Sequence, residues 1–275
     1  AEAQNAGWVS SFDTDGFTLN NADSGWNGNG TNYVAWNWKG AGSGSGSSNT
    51  DGSINTTSTS ANSTSGISIS KFTSTGSAAT IGHGMSAIPK MIWVKRTDSS
   101  GSWQVYHASL GATKYLELQN TQEVYASSAR WNDTTPTSSV FSIAGEFLSS
   151  AVNISYAFAE KTGYCKIGSY EGNGNADGTF VYTGFKPAWL LVKSTAGSQQ
   201  WLMMHNKRGY NGSNELLYAD STEGAGSAEV VDFVSNGFKM RSSGAGNNSS
   251  GQDYIFMAFA ESPFVNSNGV PTNAK

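Results

Sequence analysis

The sequence predicts an all-β fold built of tandem antiparallel β-sandwiches. Of its 275 residues, 33 are Gly, 12% are aromatic and only 13% are charged. The long charged side chains that favour helices are therefore few, whereas aromatic and β-branched residues, which favour strands, are spread over most of the chain. Turn pairs such as Asp51-Gly52 and Asn236-Gly237 lie between the apolar segments. Short strands joined by many tight turns are typical of a β-sandwich.

An internal repeat of about 95 residues is the second observation behind this prediction. When the segment that begins at Ile67 is placed over the one that begins at Cys165, an offset of 98 positions, matching residues follow without a gap. The matched positions include Phe72 with Tyr170, Pro89 with Pro187, Lys95 with Lys193, Trp103 with Trp201, and His107 with His205. We interpret these pairs as structural positions, with the recurring aromatic residues in the core.

The predicted strands combine apolar patterns with turn residues at their ends. Ile67–Phe72 alternates apolar and polar residues, which predicts a half-buried strand. Tyr254–Ala260 is almost entirely apolar, which predicts a strand buried on both faces or in the middle of a sandwich. The predicted strands span residues 67–73, 91–96, 103–107, 115–119, 154–160, 166–170, 189–193, 201–205, 215–218, 238–241 and 254–260.

A third, partial copy of the repeat begins the chain. At an offset of 221 positions, Phe12 falls on Phe233 and Tyr33 on Tyr254. We therefore expect a fragment of a longer chain, with its repeats forming either separate sandwiches or a combined one. The predicted domains are residues 1–40, the C-terminal part of a preceding repeat; 41–66, a Gly/Ser/Thr-rich connector; 67–163 and 164–262, the two sandwich repeats; and 263–275, a C-terminal tail.

Charge and cysteine content exclude several classes of protein. The net charge is −4, and Lys207-Arg208 is the densest basic spot, so binding to nucleic acid is not expected. No apolar run approaches the length that spans a membrane, so membrane insertion is not expected either. Cys165 is the single cysteine, which excludes an intrachain disulfide, and we predict that it is a small apolar residue within a strand.

The candidate chemical groups favour structural roles. His107 and His205 occupy the same repeat position, which predicts a hydrogen bond at a strand end, whereas a zinc site needs three or four gathered ligands. Asp13-Thr14-Asp15-Gly16 lacks the remaining ligands of a calcium loop and predicts a tight turn. Glu160 and Glu261 also recur, so they predict capping or turn contacts instead of a glycosidase pair. We expect no catalytic residue, no metal and no cofactor.

Aromatic residues without a counterpart in the repeat are the candidate ligand contacts. Trp26, Trp131 and Tyr210 lie among Asn, Asp and Gly in predicted loops. Rigid aromatic rings beside amides and hydroxyls suit the recognition of a carbohydrate or of an adaptable protein surface. For each residue alone, packing within its loop is the simpler alternative.

Several motifs together resemble a known family. They are Tyr33-Val-Ala-Trp-Asn-Trp-Lys-Gly40, Asn49-Thr-Asp-Gly-Ser-Ile54, Gly82-His-Gly-Met-Ser-Ala-Ile-Pro-Lys-Met-Ile92, Gly178-Thr-Phe-Val-Tyr-Thr-Gly-Phe-Lys-Pro187 and Tyr254-Ile-Phe-Met-Ala-Phe-Ala-Glu-Ser-Pro-Phe264. Over nearly the whole chain, the sequence resembles tail-fibre and related virion proteins of marine and cyanobacterial phages, whose repeated domains are concanavalin-like, jelly-roll-like β-sandwiches.

The resemblance implies a non-enzymatic part of an external virion appendage, made in the host cytoplasm. The expected function is the C-terminal part of a tail fibre that binds a glycan or protein of the host cell surface. The expected partners are that receptor, other virion proteins and further copies of the chain, in a trimer. The alternative is a capsid-decoration or head-fibre protein with a structural or weakly adhesive role. A depolymerase is a third hypothesis, and we expect no such activity.

Overall fold

The computed structural model describes residues 8–14, 16–20, 25–38, 40, 46–147, 149–209 and 211–261. The chain divides into two compact units, Ala1–Trp38 and Lys39–Lys275. In the first unit, strand β1 (Val9–Phe12) pairs antiparallel with β2 (Phe17–Leu19). Within these described ranges, no helix is long and apolar enough to cross a membrane. The predicted tail, 263–275, lies outside the described residues.

The second unit consists of strands joined by turns and loops. Its first half contains β3 (Ser58–Asn62), β4 (Ile67–Thr73), β5 (Ala79–Gly82), β6 (Met91–Arg96), β7 (Trp103–His107), β8 (Lys114–Glu117), β9 (Tyr125–Ala126), β10 (Val140–Ile143) and β11 (Val152–Phe158). Its second half contains β12 (Cys165–Glu171), β13 (Phe180–Tyr182), β14 (Pro187–Ser194), β15 (Leu202–His205), β16 (Asn214–Tyr218), β17 (Gly226–Ala228), β18 (Val231–Val234), β19 (Gly237–Met240) and β20 (Asp253–Ala260).

These strands form two large sheets and two small ones. The seven-stranded sheet has the order β3-β4-β11-β6-β7-β8-β9, and the six-stranded sheet has the order β12-β20-β14-β15-β16-β17. Apart from the extra edge strand β3, the two orders correspond strand for strand. The small sheets are β10-β5 and β13-β19-β18, and all pairs of these strands are antiparallel. The predicted all-β sandwich class is confirmed.

Each large sheet and its small sheet enclose a hydrophobic core. We call β3–β11 sandwich 1, whose core contains Phe72, Ile92 and Phe141, and β12–β20 sandwich 2, whose core contains Tyr170 and Phe238. Neither of these two core clusters includes a residue of the other sandwich. Each half of the unit therefore buries apolar surface of its own, which is the main stabilising contribution to such a fold.

The outward faces of the two large sheets pack against each other. Met91 and Leu191 point away from their own cores, because Ile92 and Leu190 beside them point inward, yet their exposed fractions are 0% and 1%. The rings of Phe158 and Phe259 meet here, with 6.3 Å between their centroids. Strand β20 is accordingly buried over Tyr254–Phe259, which confirms the prediction of a strand buried on both faces.

The recurring tryptophans do not both lie in a core. Trp201 is fully buried, and its Nε1–H donates a hydrogen bond of 3.0 Å to the carbonyl of Glu117 in sandwich 1. Trp103 is only half-buried and stacks on Tyr156 at 6.1 Å. These two matching sequence positions thus lie on the same face of their large sheets, but the other sandwich covers only Trp201.

Two further expectations need correction. Tyr33 was expected to be buried like Tyr254, yet 45% of its surface is exposed, whereas Tyr254 is at 0%. The predicted connector 41–66 contains strand β3, which pairs with β4 over Ser58–Asn62. Ser and Thr in this stretch can form an edge strand because β4 offers backbone hydrogen-bonding groups that composition does not show.

Candidate functional site

A cleft of about 120 Å³, lined by both polar and apolar groups, opens on the inner face of the seven-stranded sheet. We call it the inner-face cleft. Three adjacent strands build its floor: Asn153 on β11, Val94 and Arg96 on β6, and Gln104 on β7. Their register places Asn153 opposite Arg96 and Gln104 opposite Val94. Because alternate residues of a strand face the same side, polar side chains continue the surface on which the apolar core lies.

An ion pair from two loops forms one wall of the cleft. Arg130 Nη2 lies 2.5 Å from Glu146 Oε2, and the hydroxyl of Ser127 donates to the other oxygen of Glu146. The Arg130 guanidinium also lies 4.3 Å from the centre of the Tyr115 ring and 5.9 Å from that of Phe147. These contacts with two aromatic rings and a carboxylate favour one orientation of the Arg130 guanidinium in this wall.

The opposite rim is the turn between β6 and β7. The ammonium group of Lys95 donates a hydrogen bond of 2.8 Å to the carbonyl of Gly101 and so fixes this turn. Nearby, Arg96 Nε donates to Asp98 Oδ1 at 2.5 Å, and this hydrogen bond lowers the pKa of the Asp98 carboxyl. Arg96 and Asp98 neutralise each other, so the cleft carries nearly balanced charge.

Two of the residues that line the cleft each carry a buried polar atom without a hydrogen-bond partner. These atoms are Gln104 Oε1, an acceptor, and Arg130 Nε, a donor. The Gln104 residue is only 8% exposed. A buried polar atom without a partner carries a desolvation cost of about 1–3 kcal/mol. A ligand that both donates and accepts hydrogen bonds, and that draws these two side chains toward the opening, would recover that cost.

Sandwich 2 fills the corresponding place with apolar groups. Leu202 lies opposite Val192 and Tyr254 opposite Ser194, the register positions of Gln104 and Asn153 in sandwich 1. The hydroxyl of Tyr254 donates a 2.9 Å hydrogen bond to the carbonyl of Ala245, in the connection that precedes β20. This connection, 241–252, is four residues longer than 144–151 in sandwich 1. Sandwich 1 therefore keeps an opening that its neighbour closes.

The predicted ligand residues lie elsewhere. Trp131 is not available to a ligand, because it is 1% exposed and packs in the core against Tyr106 at 5.8 Å. Trp26 is half-buried in the first unit and stacks on Trp8, with 3.5 Å between the ring centroids. Tyr210 lies outside the described residues. A polar surrounding sequence did not reveal that the loop of Trp131 folds back over the core.

The recurring polar residues make structural contacts. His107 Nδ1 accepts the backbone N–H of Ser109 at 3.2 Å, and His205 Nδ1 accepts that of Lys207 at 3.4 Å. Pro89 is buried, and Pro187 begins β14, also buried. Both glutamates pair with lysines near their strand ends, and Glu160 also accepts a backbone N–H. Glu160 Oε1 lies 2.9 Å from Lys166 Nζ and accepts the N–H of Ile167 at 3.1 Å, while Glu261 Oε2 lies 2.9 Å from Lys186 Nζ.

Residue comparison within the repeat could have indicated the cleft. Gln104 aligns with Leu202, so an inward-facing position changes from apolar to polar between the copies. The wall residues Arg130 and Glu146 could not be found this way, because they lie in connections whose lengths differ. Among the residues that the structure describes, no three His, Cys, Asp or Glu side chains are grouped so that they could hold a metal ion.

Comparison with protein families finds one family model that covers nearly the whole chain. A family model described as Domain of unknown function (DUF7483) matches residues 1–263. The chain belongs to the DUF7483 family. No curated protein and no solved structure matches it. The DUF7483 match spans the first unit and both sandwiches, and so includes every residue of the inner-face cleft.

Proposed function

We propose that this protein is a non-enzymatic virion component, the C-terminal part of a phage tail fibre, and that it binds a host-surface glycan in the inner-face cleft. The virion assignment rests on the motif resemblance. The cleft supports the glycan, and the single observation that carries it is the pair of unpartnered buried atoms, Gln104 Oε1 and Arg130 Nε.

A sugar hydroxyl matches this pair chemically. Once the side chains of Gln104 and Arg130 turn these buried atoms toward the cleft, a hydroxyl can donate a hydrogen to Gln104 Oε1 and accept one from Arg130 Nε, whereas a purely anionic group could only accept. The apolar groups of Val94, Phe147 and Ala151 line the same cleft and suit the C–H surface of a sugar ring. Few precisely placed polar groups on an apolar lining are the usual composition of a small-molecule site.

Size and charge limit what the site does. At about 120 Å³, the cleft is smaller than the roughly 300–1,000 Å³ of drug-sized pockets, so it suits one terminal sugar instead of an enclosed chain. Of the residues that line it, Glu146 is the one carboxylate, and Arg130 and Ser127 already hold its two oxygens. Glycoside cleavage uses two carboxyl groups on either side of the bond, so binding without turnover is the function we propose.

The test replaces Gln104 by the residue that sandwich 2 has at this position. Gln104→Leu keeps the approximate volume and removes the acceptor, so binding to host polysaccharide on a glycan array or by calorimetry should weaken about tenfold. Gln122→Leu, on the exposed surface, is the matched control and should bind like the parent protein. Equal affinity of Gln104→Leu and the parent protein would refute the assignment of the site.

The location of the protein on the particle separates the tail fibre from a head decoration. Antibody labelling of intact virions should mark the tail tip under the proposed function. Label confined to the capsid would contradict a receptor-binding role on the tail. Threefold labelling geometry at a fibre tip would agree with the trimer that the resemblance implies.

A further inference from the structure

Strand β13 is an exposed edge of sandwich 2. It pairs with β19 along one side, and no described strand pairs with its other side. Val181 points into the core and is 8% exposed, whereas Phe180 and Tyr182 point outward and are 48% and 65% exposed. An edge strand presents unpaired backbone groups, and proteins usually protect it with Lys, Pro or a covering segment. Phe180–Tyr182 contains neither Lys nor Pro.

Sandwich 1 covers the corresponding edge with its own chain. Ile81 on β5 lies opposite Phe141, as Val181 lies opposite Phe238. There, the N–H of Ile54 donates to the carbonyl of Thr80 at 3.1 Å, and the N–H of Thr80 donates to Ser53 Oγ at 2.9 Å. Ile54 also forms a parallel β-bridge with Ile81. This fold therefore has room for an additional extended segment beside the small sheet.

The sequence around β13 has the same residue pattern in both directions, so it can pair with a second copy of itself. Residues 179–183 are Thr-Phe-Val-Tyr-Thr. If two such strands pair antiparallel about Val181, Phe180 lies opposite the partner's Tyr182, and Thr179 lies opposite the partner's Thr183. Aromatic–aromatic and Thr–Thr pairs are among the cross-strand pairs that stabilise antiparallel sheets.

We propose that β13 pairs antiparallel with β13 of a second copy of this chain across a twofold axis. The two three-stranded sheets then form one continuous six-stranded sheet, and each Phe180 packs beside the partner's Tyr182. An isologous contact uses the same surface on both copies, so that surface must be complementary to itself, as this strand is. The proposal does not depend on glycan binding.

Charges next to the edge do not oppose this contact. Lys239 Nζ lies 2.5 Å from Asp177 Oδ1, and Arg241 Nε lies 2.5 Å from Asp232 Oδ2. Each cation is paired with a carboxylate of its own chain. Two copies can therefore approach without bringing like charges together, which would weaken the interface.

The mass of the protein in solution tests the proposal. Sedimentation equilibrium should give an even number of chains: two, or six if the threefold assembly also forms. The double variant F180T/Y182T removes the aromatic pair and should raise the dissociation constant at least tenfold, with an unchanged circular dichroism spectrum. Ile88→Thr, at another apolar residue that is 48% exposed, is the control and should leave the mass unchanged.

Disulfide trapping tests the register. An oxidised mixture of F180C and Y182C proteins should give covalent dimers, whereas either protein alone should not, because only residues 180 and 182 lie opposite each other. The native Cys165 is 2% exposed and does not interfere. A monomer or a trimer at all concentrations, an F180T/Y182T variant of unchanged mass, or no cross-link in the mixture would each overturn the proposal.

Discussion

Acid should destabilise the protein through His107, the buried histidine between the two sandwiches. Its exposed fraction is 0%, and burial lowers its pKa from 6.5 to about 4. Nδ1 accepts the N–H of Ser109 at 3.2 Å, and Nε2 lies 3.5 Å from the carbonyl of Phe256 in sandwich 2. A protonated ring has no acceptor, so the bond from Ser109 is lost when the histidine becomes charged.

The sign and size of the effect follow from the two pKa values. Between pH 6.5 and 4, the unfolded chain binds a proton at this position while the folded chain does not. The free energy of unfolding therefore falls as the pH falls through this window. Each pKa unit corresponds to 1.36 kcal/mol, so the loss amounts to about 3 kcal/mol by pH 4.

Urea denaturation between pH 7 and 4, followed by tryptophan fluorescence, measures this loss. His107→Asn keeps an acceptor near the position of Nδ1 but does not titrate here, so its unfolding free energy should depend less on pH. His205→Asn is the matched control. Burial also lowers the pKa of His205, but less than that of His107, so this variant should remove a smaller part of the pH dependence of the unfolding free energy. The reasoning fails if the parent protein and His107→Asn lose stability equally between pH 6.5 and 4.

Three further predictions concern the fold. Gly174 has φ +68, and an added Cβ would lie 2.8 Å from that of Ser250; Gly174→Ala should lower the free energy of unfolding, measured by urea denaturation, by about 1–3 kcal/mol. Gly251→Ala, with φ +70 but open space, should cost less. Trp201→Phe should cost about 1–2 kcal/mol by losing a buried hydrogen bond, and the half-buried Trp103→Phe less, in the same assay. Burial raises the pKa of the Cys165 thiol, so a thiol reagent should label it only after denaturant is added; labelling of the native protein would contradict its placement.

Strand positions were predicted well wherever the signal is local. Met91–Arg96 and Trp103–His107 have the predicted bounds, because alternation within a few residues and turn residues at the ends define them. Strands β5, β9, β13, β17 and β18 were missed, because two to four residues carry too short a pattern. Strand β10 was also not predicted, and its pairing with β5 across the core is what makes it a strand.

The candidate site was not predicted, because its parts are distant in sequence. Gln104 and Asn153 become neighbours of one cleft through strand pairing, and Arg130 and Glu146 reach it from loops. Trp131, a predicted ligand contact, is buried for the same reason: its surroundings come from distant parts of the sequence. Its burial depends on Tyr106 and on the path of a loop, neither of which appears in the neighbouring residues.

The amino-acid sequence by itself determined the all-β class, most strand positions and the recurrence of matching residues, because these depend on side-chain alternation and turn residues over short distances. Only the tertiary structure decided which surfaces are covered. The segment at Ser53–Ile54 closes the edge of β5, the connection 241–252 fills one inner face, and the shorter 144–151 leaves the other open. Burial is a property of segments that meet from far apart in the chain, so residues at matching sequence positions can differ in exposure.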